Sequence, residues 1–236
     1  MKTIYYDFHI HTCLSPCAND DMTPANIVGM AVVAGLDSIA ITDHNSCKNC
    51  RAAMRVGEQY GITVIPGMEL CTLEEVHVVC LFETIETAEA FGEYVSEHMV
   101  KIKNQPKFFG NQIQMSEDDE EVGREEVLLL SSATISFAEL PTLMEAYHGI
   151  MIPAHLDKQS NSLVYQLGFI PEDAKFRCFE LHHMENLHEY RRRYSYLENC
   201  KVICDSDAHQ LEFIHGPTHS ILVNENTIHE ILKALS

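Results

Sequence analysis

Short apolar runs rich in Ile, Val and Phe alternate with amphipathic stretches along most of this chain, the pattern of βα units around a parallel sheet. Ile4–Ile10 reads as the first strand. Thr23-Pro24 sets a capping residue before a first-turn proline and opens a helix that stops at Gly35. Ser38–Thr42 is a second strand, Cys47–Tyr60 a helix, Thr63–Pro66 a third strand and Val76–Phe82 a fourth, followed by a helix over about Thr84–Lys103. The rhythm returns with a helix near Phe137–Tyr147 and strands at Ile150–Pro153, Arg177–Leu181, Val202–Cys204 and Ser220–Val223. A last helix covers Thr227–Leu235. Between the two stretches, residues 104–134 break the pattern with the acidic run "SEDDEEVGREE". This segment predicts an insertion, a hairpin with a charged turn that caps one face; the alternative is a solvated surface loop.

One domain over residues 1–236 is the expectation, since a chain with 46% hydrophobic residues can build one sizeable core. No apolar run is long enough to span a bilayer, and Met1-Lys2-Thr3 leads straight into a strand rather than a leader, so a cytoplasmic protein is expected. Nine cysteines, an odd number, favour free thiols. The formal net charge of −19 speaks against a general grip on nucleic-acid phosphates. Neither a polynucleotide nor a membrane is therefore an expected partner.

The candidate chemistry lies at strand ends. His9 and His11 end the first strand, Asp43-His44-Asn45 follows the second, Glu69 the third, and His77 lies in the fourth. His155 closes "IMIPAH", and Asp207 and His209 close "VICDSDAH". The strand ends of a β/α barrel converge on one face, so groups distant in sequence would meet in one pocket. Two residues apart on a strand leave the same face, which lets His9 and His11 clamp one ion. Imidazoles mixed with carboxylates suit zinc, manganese or iron better than magnesium. Glu69 has two oxygens and can bridge, and with so many ligands more than one divalent ion is expected.

The ordered set "DFHIHT", "ITDHN", "GMEL" with "EVHVV", "IPAH" and "CDSDAH" resembles the polymerase-and-histidinol-phosphatase (PHP) family of metal-dependent phosphoesterases over essentially the whole chain. The resemblance implies a distorted (β/α)7 barrel with an inserted cap after the fourth strand and up to three metal ions at its mouth. It also implies that His9, His11, Glu69 and Asp207 share one metal, that His44 and His209 hold a second, and that Glu69, His77 and His155 hold a third. The implied reaction is hydrolysis of a phosphate ester by a metal-bound hydroxide, with a small nucleotide as the favoured substrate. A histidinol-phosphate-type phosphatase and a non-catalytic regulatory or nuclease-associated module are the alternatives. The family supplies one more acid or histidine soon after the first pair; here Cys17 stands nearest that place, with Asp20 next.

The remaining candidates have weaker signals. Asp43 reads as an orienter of a neighbouring ligand or a turn residue. Lys158 is either a phosphate-binding cation or a surface lysine. One of His182 and His183 is expected to face the pocket, as an orienting partner or a rim residue. Cys13, Cys17, Cys47 and Cys50 form a rival four-thiolate zinc arrangement, which Leu14-Ser15-Pro16 suits poorly.

Overall fold

The computed structural model describes residues 1–236. Its frame is a curled six-stranded sheet in the order β10-β1-β2-β3-β4-β7, made of β1 (Lys2–Ile10), β2 (Ser38–Ile41), β3 (Thr63–Cys71), β4 (His77–Phe82), β7 (Gly149–Pro153) and β10 (Ser220–Val223). A separate parallel pair, β8 (Cys178–Glu180) and β9 (Lys201–Ile203), extends the curl beside β7. The helices α1 (Pro24–Ala34), α2 (Cys50–Tyr60), α3 (Ile85–His98), α5 (Leu140–Ala146), α6 (Leu163–Leu167), α7 (Leu187–Arg193) and α8 (Ile228–Leu235) complete the α/β barrel. No helix is long and apolar enough to cross a membrane.

Two apolar clusters hold this frame. The inner one joins Ile4, Tyr6 and Phe8 of β1 to Ala40, Ile65, Val79, Ile152, Cys178 and Ile203, so almost every strand contributes to it, and α8 closes it with Ile231, Leu232 and Leu235. The outer one lies between strands and helices and includes Ile10, Ile39, Ile41, Phe82 and Phe91. Side chains alternate along a strand, yet Phe8 belongs to the inner cluster and Ile10 to the outer. The β1–β2 register shifts between Asp7 and Ile10. That irregularity re-aims the chain and sends His9 and His11 into the barrel mouth.

The distortion has a local cause. β1, β2 and β3 run parallel, but β4 runs antiparallel to both β3 and β7, because only the turn at Thr72–Val76 separates it from β3. His77 therefore stands at the start of its strand and still reaches the mouth formed by the far ends of its neighbours. β10 is likewise antiparallel to β1. The β3–β4 contact is tight at Gly67, where an added Cβ would fall 2.6 Å from the Cys80 carbonyl oxygen and 2.7 Å from Leu81 Cδ2. Gly67→Ala is expected to cost about 1–3 kcal/mol through overpacking, read as a lowered urea midpoint at unchanged slope.

The insertion forms a short helix, α4 (Pro106–Phe109), and a hairpin, β5 (Ile113–Met115) with β6 (Glu121–Arg124), whose turn carries the acidic run. It is bonded to the loops at the mouth. Ile113 N–H donates to Cys13 O at 2.9 Å, and Met115 N–H donates to Asn49 Oδ1 at 2.9 Å.

Candidate metal centre

Glu69 is 1% exposed and lies in the midst of imidazoles. His77 Nδ1, His44 Nδ1, His155 Nε2, His9 Nε2 and His11 Nε2 approach its two oxygens at 2.9, 3.0, 3.1, 3.3 and 3.5 Å. Asp207 Oδ1 completes the cage at 3.2 Å from His11 Nε2 and 3.5 Å from His9 Nε2. The His209 ring stacks on His11 with centroids 4.1 Å apart. The residues expected from strand ends thus converge. Three overlapping groups, His9/His11/Glu69, His44/Glu69/His77 and His11/His44/His209, each place their ligand atoms within 4.8 Å of one another.

Hydrogen bonds fix which nitrogen of several rings carries a lone pair. Glu180 accepts from His9 Nδ1 at 3.0 and 3.1 Å, which leaves Nε2 free. The Ser15 hydroxyl donates its proton to Asp43 at 2.7 Å, so it accepts from His11 Nδ1 at 3.0 Å and from the His44 backbone N–H at 3.1 Å. Asp207 O accepts from His209 Nδ1 at 2.8 Å. When neutral, His9, His11 and His209 would therefore all present Nε2 as the acceptor that a metal ion needs. Asp43 acts at one remove: it also accepts from Thr12 N–H and Oγ1, both at 2.7 Å, and so shapes the loop that carries Ser15. Burial pushes its carboxyl up to about 6, against the pull of those hydroxyl donors.

Charge in the cage is balanced internally. Burial alone would raise Glu69 and Asp207, but the surrounding histidines outweigh it and hold both well below the usual carboxylate range. Burial would likewise lower His9, yet Glu180, Glu69 and Asp207 hold it well above its ordinary value. His11 is pushed well down by burial and by His209 and His44. Two buried atoms at the cage, Asp207 Oδ1 and His44 Nδ1, lie close to their neighbours yet make no well-aligned hydrogen bond. Convergent lone pairs without well-aligned partners fit divalent cations.

The site titrates in a direction that can be tested. Burial disfavours the His77 imidazolium, but Glu69 outweighs burial and pushes His77 up to about 10. A raised folded value means that this pair stabilises the metal-free fold fully below the unfolded value of 6.5, and that the stabilisation fades as pH rises through about 10. A metal ion held by His77 would have to displace that proton. Its affinity is therefore expected to climb with pH across the same window, by up to ~10-fold per pH unit for each proton released. Competition titrations against a chelator at two pH values check this; a flat response would contradict it.

The other candidates take different places. Lys158 is partly exposed and its ammonium pairs with Asp207 Oδ2. Of the histidine pair, His182 lines a cavity beside Asp207 while the His183 side chain is 58% exposed. Cys17 is exposed; partial desolvation, with Glu69 and Asp207 nearby, pushes its thiol up to about 12. Asp20 accepts from Asn111 of the insertion at 2.8 Å. Neither belongs to any of the three groups. All nine cysteines are free thiols, and no three-donor group contains one, so the four-thiolate arrangement does not form.

Comparison with known proteins decides the family. The model of the PHP domain matches residues 7–162. The chain belongs to the PHP family. The expectation of a metal-dependent phosphoesterase on a distorted barrel stands. A PolC-type DNA polymerase III from Caldanaerobacter subterraneus is 24% identical over 234 residues, covering 89% of this chain and 16% of the polymerase. Among solved structures, the lesion-specific endonuclease from Pyrococcus furiosus shares 18% identity at a TM-score of 0.69, with 99% of this chain and 56% of the endonuclease covered. A putative metal-dependent phosphoesterase from Bifidobacterium adolescentis shares 18% identity at a TM-score of 0.65, with 98% and 96% covered. The chain thus spans about a sixth of that polymerase and little more than half of the endonuclease.

One expectation is corrected here. Net charge points away from polynucleotides and the family resemblance favours a small phosphorylated substrate, but the same fold, at a TM-score of 0.70, occurs in Endonuclease Q bound to a 27-mer duplex. The physical reason is locality. Several acids counted in that net charge are already paired with cations: Glu117 with Arg55, Glu121 with Arg124, and Glu86 and Glu89 with Arg51. A whole-chain charge describes solubility and association, not the field at one mouth.

Proposed function

We propose that this domain hydrolyses phosphodiester bonds in a nucleic-acid strand, with divalent ions held by His9, His11, His44, Glu69, His77, His155, Asp207 and His209. The observation that carries the reading is the Glu69 carboxylate shared among five imidazoles. When bound, such ions supply Lewis-acid polarisation of phosphoryl oxygens and a water acidic enough to react near neutral pH. The chain's own groups do the rest. Glu180, Ser15 and the Asp207 carbonyl hold three rings in the tautomer that leaves Nε2 free. Lys158, beside Asp207, is the cation placed to meet a phosphoryl oxygen once Asp207 is engaged elsewhere.

The polymerase and endonuclease relatives support a polynucleotide substrate, and so does the rim. On α4, Phe108 is 80% and Phe109 40% exposed, against Lys107. Gly110 presses this turn onto the loop before Cys17, where a Cβ would fall 2.0 Å from Pro16 O. Exposed rings next to a phosphate site offer faces on which bases stack.

The test is metal analysis of the purified protein, followed by incubation with manganese and an end-labelled single-stranded oligonucleotide, an aryl phosphate and an aryl diester. Cleavage of the strand and the diester is expected. Protein that takes up no metal and turns over none of the three would sink the reading.

A further inference from the structure

A cavity of about 550 Å³ opens directly beside the cage, and Asp207 and His209 form its inner wall. The rest is lined by His182, Gln210, Phe213 and His215 and by neighbouring residues, with no lysine or arginine. We propose that this cavity seats one unpaired nucleobase of the strand whose phosphate lies at the cage. The inference rests on the nucleic-acid reading above and adds to it where the base goes and in what state.

Three observations carry it. The first is the aromatic face. Phe213 is 58% exposed, although it follows Leu211 and precedes the buried Ile214. Its turn is held rigidly: Phe213 N–H donates to Gln210 O at 3.0 Å, and the His215 backbone N–H donates to buried Asp7 Oδ2 at 3.2 Å. Asp7 also accepts from Ser206 N–H at 3.1 Å, which ties this loop to the strand-end segment bearing Asp207. An exposed ring on a pinned turn is a ready stacking surface.

The second is the polar edge. Asp157 accepts from the His182 backbone N–H at 2.7 Å and so fixes that residue at the wall. His215 Nδ1 is buried without a hydrogen-bond partner. With the Gln210 amide, these rings offer donors and acceptors of the kind that read the edge of a heterocycle. The third is charge. A second phosphate would need a cation, and the lining has none; Glu212 is its one acid beyond Asp207. A flat, neutral, hydrogen-bonding group suits these walls, and a base in a duplex has both its face and its edge occupied.

The test is fluorescence anisotropy with the metal-loaded protein and three labelled probes: a short oligothymidylate, a base-free strand of equal length built from abasic units, and a duplex. The strand with bases is expected to bind at least ~10-fold more tightly than the base-free strand. Phe213→Ala should abolish that ratio and Phe213→Trp should keep it, with metal content confirming that the cage is intact. Equal binding of the first two probes, a ratio that survives Phe213→Ala, tighter binding of the duplex, or no binding at all would each overturn the proposal. The two readings fail separately. Cleavage without base preference removes the subsite alone, whereas Phe213-dependent preference without cleavage removes the hydrolase alone.

Discussion

Glu69→Gln is expected to empty the metal centre and to lower phosphodiester turnover by about three orders of magnitude. The substitution keeps the shape of the side chain and removes its charge. Five imidazoles within 3.5 Å then lose their common counter-charge, and any bridging ion loses an anionic ligand. Metal supplies several kcal/mol of transition-state charge stabilisation, and each ~1.4 kcal/mol is a factor of ten in rate. Elemental analysis and turnover of an aryl diester read the two effects together. Wild-type metal content with activity within tenfold of the parent would refute the bridging role. Loss of His77's partner should also lower its pKa from about 10, visible as a shifted imidazole titration in the metal-free protein.

Glu180→Ala should be the next most damaging change at the centre, although this side chain faces the back of His9 rather than the mouth. Its oxygens accept from His9 Nδ1 and, at 2.9 Å, from the His155 backbone N–H. One carboxylate thus orients the His9 ring and anchors the backbone that carries His155. Removing such a partner typically lowers metal affinity about 10–100-fold. It also leaves two buried donors without an acceptor, at a cost of about 1–3 kcal/mol each. Glu180→Gln retains an acceptor and should recover most of the affinity. Calorimetric titration with manganese separates the three proteins; Glu180→Ala binding as tightly as the parent would show that His9 is positioned by something else.

The strand-end histidines were legible because their signal is local: His9 and His11 sit two apart where β1 ends, and Asp207 and His209 repeat that spacing in the loop after β9. The bounds of β2, β7 and β10 and the cap of α1 at Thr23-Pro24 follow the sequence pattern for the same reason. Glu180 was not legible, since a single acid after "RCF" gives no sign that it meets a ring 171 positions earlier. Ser15 was hidden likewise, its role depending on Asp43 across 28 positions. The reversed direction of β4 was also missed, because a buried strand reads the same in either sense and only the brevity of the turn before it betrays the hairpin. Net charge misled about partners because it counts acids that are already paired with arginines, such as Glu89, Glu117 and Glu121.

The β3–β4 hairpin has a further consequence for how the chain matures. Its register pairs Cys71 with His77 and Glu69 with Val79, which sets Glu69 and His77 diagonally on one face. A slip of one residue would turn one of them outward and break up the cage. Metal uptake at this site would then work as a proof-reader: only a correctly threaded chain could load, and loading would lock that threading in place. In a refolding experiment the fraction of metal retained after gel filtration should therefore count the correctly paired molecules, and supplying manganese during refolding should raise that yield.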